Sequence, residues 1–181
     1  MGNPVATFIV QSFANATLLG QILFISLIVL FIIHFYSKKK KKFAKLFDLI
    51  SDNFLVFSFF IALFATAGSL LFSEVAHFTP CKLCWYQRIF MYPQVILFGL
   101  AIWKNDYKIK IYGLVLSIIG GLVALYHVIL QWYPAILLPC SDETANCAVK
   151  QFATYGYITI PVMSLTAFVL LIFLGLIAKR R

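Results

Sequence analysis

Charge is what this chain has least of. Only 12% of its residues are Asp, Glu, Lys or Arg, and six of its 181 residues are acidic. A water-soluble domain keeps about a quarter of its residues charged, so a free-standing globular domain is excluded. No basic residue precedes the first apolar run, which removes the n-region of a cleaved signal peptide and leaves that run as a true span. The apolar runs are continuous rather than alternating, which excludes a transmembrane β-barrel. Internal repeats are absent, and one lysine run is the sole low-complexity stretch. Cysteine is scarce too, with four residues, all in short polar gaps.

What is present in quantity is apolar surface. Hydrophobic residues make up 62% of the chain and the mean hydropathy is +0.94. Five runs of roughly twenty residues are long enough to cross a hydrocarbon core at 1.5 Å per residue. They cover Leu18 to Tyr36, Asn53 to Ser73, Trp85 to Trp103, Ile111 to Trp132 and Tyr157 to Ala178. The fold class expected is all-α: a polytopic four-helix transmembrane bundle over residues 51–181, preceded by one additional N-terminal transmembrane helix and a basic linker in residues 1–50.

The net charge of +9 invites a nucleic-acid partner, but its distribution argues against one. Twelve of the 15 basic residues fall in three clusters: Lys38 to Lys42 with Lys45, then Lys104, Lys108 and Lys110, then Lys179, Arg180 and Arg181. They follow the first, third and fifth runs, so all lie on one face of the membrane, and the positive-inside rule makes that face cytoplasmic. The N-terminus and the gaps at 74–84 and 133–156 are then outside, with the C-terminus inside. The first run is expected to add membrane packing rather than chemistry.

Both cysteine pairs fall in those outer gaps, where disulfides persist. The short separations favour Cys81 with Cys84 and Cys140 with Cys147 among three possible pairings. Thr79-Pro80-Cys81-Lys82-Leu83-Cys84 has the form of a helix start, with Thr79 as N-cap and Pro80 at the first helical position. Cys81 would then sit in the first turn and Cys84 one turn later on the same face. The positive helix end and Lys82 would favour a thiolate there, which makes the pair redox-active; an inert structural disulfide is the other account. Arg88 follows Cys84 by four residues, about one turn into the membrane, where an ionisable residue is a functional candidate; snorkelling to the headgroups is its alternative. Cys140 and Cys147 bracket the most polar outer stretch, expected to be flexible enough to meet a soluble partner. His127, near the outer end of the fourth run with Gln131 one turn on, stands at the depth of Arg88, in one lipid-side pocket with it; a histidine merely bonded to a neighbouring helix is the alternative. His77 has a weaker claim, and His34, beside the lysine run, has none.

Taken together, Cys-Lys-Leu-Cys-Trp-Tyr-Gln-Arg-Ile-Phe-Met-Tyr-Pro at 81–93, His127-x-x-x-Gln131-x-Tyr133-Pro134 followed by Cys140, and Tyr157-Ile-Thr-Ile-Pro161 resemble the DsbB/BdbC family of thiol:quinone oxidoreductases. The resemblance covers about residues 53–178. It implies a monomeric enzyme of the bacterial cytoplasmic (inner) membrane that reoxidises a DsbA-like thioredoxin-fold protein. Electrons would enter at Cys140–Cys147, pass to Cys81–Cys84, and leave through Cys84 to a membrane quinone, ubiquinone or menaquinone, held by Arg88 and His127. No metal is implied, and the only other partner is membrane lipid. Two departures stand out: residues 1–50 lie outside the family's four-helix core, and the Cys140–Cys147 loop is shorter than in proteobacterial members. Three alternatives remain: a vitamin K epoxide reductase-like enzyme, in which the order of the two pairs is usually reversed; a structural zinc site made by the four cysteines; and a non-catalytic scaffold with stapled loops.

Overall fold

The computed structural model describes residues 4–36, 48–133 and 146–178. Lys38 to Lys42, Lys45, Cys140 and the terminal Lys179, Arg180 and Arg181 lie outside the described residues, as does the side chain of His34. Five long helices are present: α1 (Pro4–Tyr36), α2 (Phe54–Leu70), α3 (Lys82–Lys104), α4 (Ile109–Trp132) and α5 (Ile160–Ile177). A π-helical turn, Leu71–Val75, extends α2. In the bundle each helix packs against its sequence neighbour and α5 closes back onto α2, while α1 leans on α5 and on the π turn. Four stretches, Pro4–Leu30, Phe54–Val75, Ile109–Trp132 and Ile160–Ile177, are long and apolar enough to span a membrane. With its 23 residues, α3 has the length of the remaining expected span and carries Gln87, Arg88 and Gln94 within it.

The packing is the inverse of a soluble bundle. Large apolar side chains such as Ile96, Leu122 and Leu176 point outward, while Ser58, Gln94, Ser117 and Ala124 are buried. Small residues inside let helix backbones approach, and buried polar side chains must pair with one another. Ser117 Oγ accordingly donates to Gln94 Oε1 at 2.9 Å, joining α4 to α3. Gly120 is required by the closest approach of α4 to α5: a Cβ there would overlap the Phe168 ring and crowd Phe90.

Three boundaries differ from expectation. Helix α1 begins at Pro4, fourteen residues before Leu18, because Gln11 and Asn15 find partners instead of ending it: Gln11 Nε2 donates to Tyr155 Oη at 2.9 Å and Tyr155 Oη donates to Asn15 Oδ1 at 2.6 Å. The N-cap of α3 is Cys81 rather than Thr79. His77 turns the chain with a positive φ of 56°, and the Thr79 carbonyl accepts from Gln151 Nε2 at 3.0 Å. Helix α5 starts at Ile160 rather than Tyr157, because Tyr155 and Gly156 adopt left-handed backbone in a turn closed by paired bonds between Thr154 and Ile158.

Replacing Gly120 by Val should destabilise the bundle by about 1–3 kcal/mol through overpacking against Phe168. Thermal unfolding in detergent checks this, and an unchanged midpoint would contradict the close approach.

Candidate functional site

The end of the bundle at which α3 begins gathers Cys81, Cys84 and Cys147 around one histidine. Cys81 caps α3 and Cys84 lies in its first turn, so the helical repeat brings their sulfurs to 3.5 Å. Both are free thiols, whereas Cys147 is disulfide-bonded. The residues from Cys147 onward lie over the first pair, while the rest of the loop expected to reach a soluble partner, with Cys140, lies outside the described residues. Cys147 is 1% exposed, in one cluster with Cys81, Leu83 and Leu130. Polar ties hold it there: Gln131 Nε2 donates to the Val149 carbonyl at 3.4 Å, and Gln151 bonds Thr79. Lys150 sits 3.6 Å over the Trp132 ring centroid, and Phe152 packs on Phe72 and Phe78.

His127, 2% exposed on α4, is the hinge of this arrangement. Its Nδ1 is 3.0 Å from Gln87 Nε2, and its Nε2 is 3.1 Å from the Cys147 carbonyl and 3.8 Å from Cys81 Sγ. A carbonyl can only accept and the Gln87 amide nitrogen can only donate, so these partners assign the proton to Nε2 and leave Nδ1 as acceptor. The Nε2–H therefore faces the main chain of one cysteine pair and a sulfur of the other. Sequence placed His127 beside Arg88; both line one cavity, but His127 contacts the cysteines and Arg88 faces elsewhere.

Arg88 is half-buried on α3. Its Nε donates to Ser69 Oγ at 2.9 Å and its Nη2 to the Ser69 carbonyl at 3.0 Å, while its guanidinium carbon lies 4.9 Å from the Trp85 ring centroid. Tyr92 Oη donates to the same Ser69 hydroxyl at 3.2 Å. Ser69 stands just before the π turn, an irregularity common at functional sites. These bonds hold the guanidinium at the cavity wall, against full snorkelling outward. Gln87, Ser69 and Tyr92 had no role in the sequence analysis. Gln87 and Tyr92 lie within the cysteine-arginine motif and were within reach; nothing local marks Ser69.

The cavity has a volume of about 1330 Å³ and a largely apolar lining. Cys81, Cys84, Gln87, Arg88, His127 and Cys147 supply its polar end, and His77 also reaches it. Cys81, Cys84 and a His127 ring nitrogen lie within 4.8 Å of one another, a spacing that could hold a metal ion. The four-thiolate zinc site is not formed, however, because Cys147 is in a disulfide.

The sequence model described as "Disulfide bond formation protein DsbB" matches residues 51–178. The chain belongs to the DsbB family. It is 42% identical over 121 residues to disulfide bond formation protein C of Bacillus subtilis, an alignment covering 66% of this chain and 87% of that protein. It is 40% identical over 124 residues to the SPbeta prophage-derived disulfide bond formation protein B of the same organism, covering 68% and 84%. No solved structure matches. Family membership makes this DsbB-family chain a membrane disulfide bond formation protein, and its α1 and basic linker lie outside the matched region.

The Cys81 thiol, outside the membrane-spanning part of α3, is held well below the ordinary thiol value of 9.0. The hydrogen bond from Cys84 contributes most; burial opposes it, and the bond from His127 adds to the lowering. A lowered value means that the thiolate persists as pH falls below 9.0. Titration of the reduced protein by thiolate ultraviolet absorbance should give a first midpoint well under that value. His127→Ala should move it upward, and an unmoved midpoint would contradict the contact.

Proposed function

We propose that the protein is a thiol:quinone oxidoreductase of the bacterial cytoplasmic membrane, with residues 51–181 as the redox unit and residues 1–50 as an addition to it. The observation that carries the proposal is a free Cys81–Cys84 pair at one end of a large apolar cavity, with a disulfide-bonded Cys147 packed directly over it. The basic clusters support an outer location for both pairs.

In the proposed relay, a thiolate of a reduced thioredoxin-fold partner attacks the Cys140–Cys147 disulfide at Cys140. One sulfur–sulfur bond breaks, a mixed disulfide forms, and Cys147 departs as a thiolate. The partner's second thiol then displaces Cys140; the partner leaves oxidised, and its two electrons stay on the outer pair. Burial of Cys147 favours attack at Cys140. Exchange with the Cys81–Cys84 disulfide re-forms the outer disulfide and leaves Cys81 and Cys84 reduced.

The residues at the polar end of the cavity fit a quinone: a planar carbonyl-bearing head needs donors and a cation, and a long apolar tail needs a dry channel. Arg88 and His127 would hold the head, with Gln87 fixing the tautomer of His127. A quinone bound there supplies a two-electron, two-proton acceptor for the reduced Cys81–Cys84 pair. Arg88 offers positive charge in a water-poor site, where it stabilises an adjacent anion far more than in water. His127 holds its proton at Nε2 beside Cys81 Sγ, and so stabilises that sulfur as a thiolate. The lowered thiol value also makes Cys81 a good leaving group when a thiolate of the outer pair attacks Cys84 in the Cys81–Cys84 disulfide. A thioredoxin-fold protein as the soluble donor remains part of the proposal, as do the orientation and the monomeric state.

Purified protein given a reduced thioredoxin-fold dithiol donor should reduce a quinone. Cys84→Ser should abolish turnover. Arg88→Ala should raise the KM for quinone by roughly tenfold or more, the cost of a lost charge-assisted hydrogen bond of about 1.5–3 kcal/mol. Full turnover by Cys84→Ser would end the proposal, and unaltered quinone dependence in Arg88→Ala would remove Arg88 from the head site.

A further inference from the structure

Helix α1 is attached to the bundle in an unusual way. On the α5 side it is held by Gln21, whose Nε2 donates to Thr166 Oγ1 at 3.0 Å and whose Oε1 accepts from Tyr157 Oη at 2.7 Å. Further along, Phe24 meets Phe173 edge-on, with ring centroids 5.4 Å apart. At the outer end Phe13 packs on Phe64 and Phe72, 4.6 and 5.4 Å between centroids, in the space Gly68 leaves free. Between these anchors α1 stands away from α2 instead of packing against it. Only 6% of its apolar window is buried. The gap is the cavity itself, with α1 as one wall, contributing Leu19, Leu23, Leu27 and Leu30. On α2 the lining runs from Phe57 to Phe72, about 22 Å at 1.5 Å per residue. Its outer end is continuous with Cys84, Arg88 and His127.

A helix recruited only for packing would bury its apolar side on its neighbours. Polar ties that hold α1 off, over a long apolar slot opening at the redox-active pair, are what a linear apolar occupant requires. We infer that α1 is a tail-binding wall: it encloses the polyisoprenoid tail of the quinone acceptor between itself, α2 and α5, and so makes the protein select acceptors by tail length. This rests on the quinone assignment above and adds a function to the one spanning helix that the family match leaves out. An isoprenoid tail suits the slot because its quinone head must end beside the thiols that reduce it, whereas a phospholipid could bring a phosphate to Arg88 but nothing that Cys84 can reduce. The energetic gain is burial of tail methylenes against the leucines of α1 in place of mobile lipid, so selectivity depends on packing rather than on hydrophobicity alone.

The test uses the full chain in detergent with the reduced dithiol donor and two quinones that share a head, one with a polyisoprenoid tail and one with a short alkyl tail. Leu23→Trp and Leu27→Trp, which fill the slot, should raise the KM for the long-tailed quinone roughly tenfold, as for loss of about two buried methylenes. Their KM for the short-tailed quinone and their kcat should not change. Ile25→Trp, at an exposed position outside the cavity lining, should alter neither. Because a tryptophan variant can fold poorly, the unsubstituted protein is also labelled with a quinone carrying a diazirine at the end of its tail. The label should fall on α1 between residues 16 and 30 and be displaced by unlabelled long-tailed quinone. Label confined to other helices, or on α1 but not displaced, would overturn the role of α1 while leaving quinone reduction intact. Equal effects of the tryptophans on both quinones would overturn it too. Failure of the unsubstituted protein to reduce either quinone would instead overturn the acceptor assignment, and this inference with it.

Discussion

A buried imidazole in a membrane bundle must satisfy two nitrogens without water, and the half of this structure that carries the cysteines depends on how His127 does so. One nitrogen accepts from Gln87 on the next helix, which fixes the proton on the other. That N–H has one strong acceptor within reach, the carbonyl of Cys147, and one sulfur, Cys81. The requirement to pair buried polar groups thus brings two distant segments of chain together. Gln131 repeats the device one turn further along α4, accepting from Thr159 Oγ1 at 2.9 Å while donating to the Cys147 segment. The second cysteine segment is therefore sewn onto α4 by side chains spaced four residues apart.

Arg88 solves the same problem differently and serves a different end of the site. Its charge is met by a hydroxyl and a carbonyl of a single residue, Ser69, and by the face of Trp85, with no carboxylate in that set of contacts. Among the described residues its hydrogen bonds go to neutral acceptors, which leaves the guanidinium able to meet an anion in the cavity. The structure so divides its polar equipment: a neutral imidazole between the two cysteine pairs, and a cation beyond Cys84 toward the apolar slot. In the proposed relay, sulfur exchange takes place beside His127 and electron delivery beside Arg88, at two places in one cavity.

Much of this was legible in the sequence because membrane spans and redox cysteines each leave a local signal. Continuous apolar runs located α2, α4 and α5 to within a few residues, and Cys81, Cys84, Arg88 and His127 did come together at one cavity. What escaped was decided by distant groups. The helix start moved from Thr79 to Cys81, in a segment tied at the Thr79 carbonyl to Gln151, seventy-two residues away. The first fourteen residues of α1 look too polar for a span until Tyr155 supplies partners for Gln11 and Asn15. The burial of Cys147 is likewise invisible in the most polar stretch of the outer surface, because the bonds that bury it belong to His127 and Gln131 on another helix. Ser69 carries no sequence mark at all, since its role comes entirely from where α3 places Arg88.

The central claim is that electrons delivered to the outer pair come to rest on Cys81 and Cys84. It is tested most directly by a single turnover without quinone: fully oxidised protein is mixed with one equivalent of reduced thioredoxin-fold donor, quenched in acid, and its free thiols alkylated and mapped by mass spectrometry. The expected result is label on Cys81 and Cys84 with Cys147 still in a disulfide. Label on Cys140 and Cys147, with the Cys81–Cys84 disulfide intact, would contradict the relay and leave the first pair without a part in it.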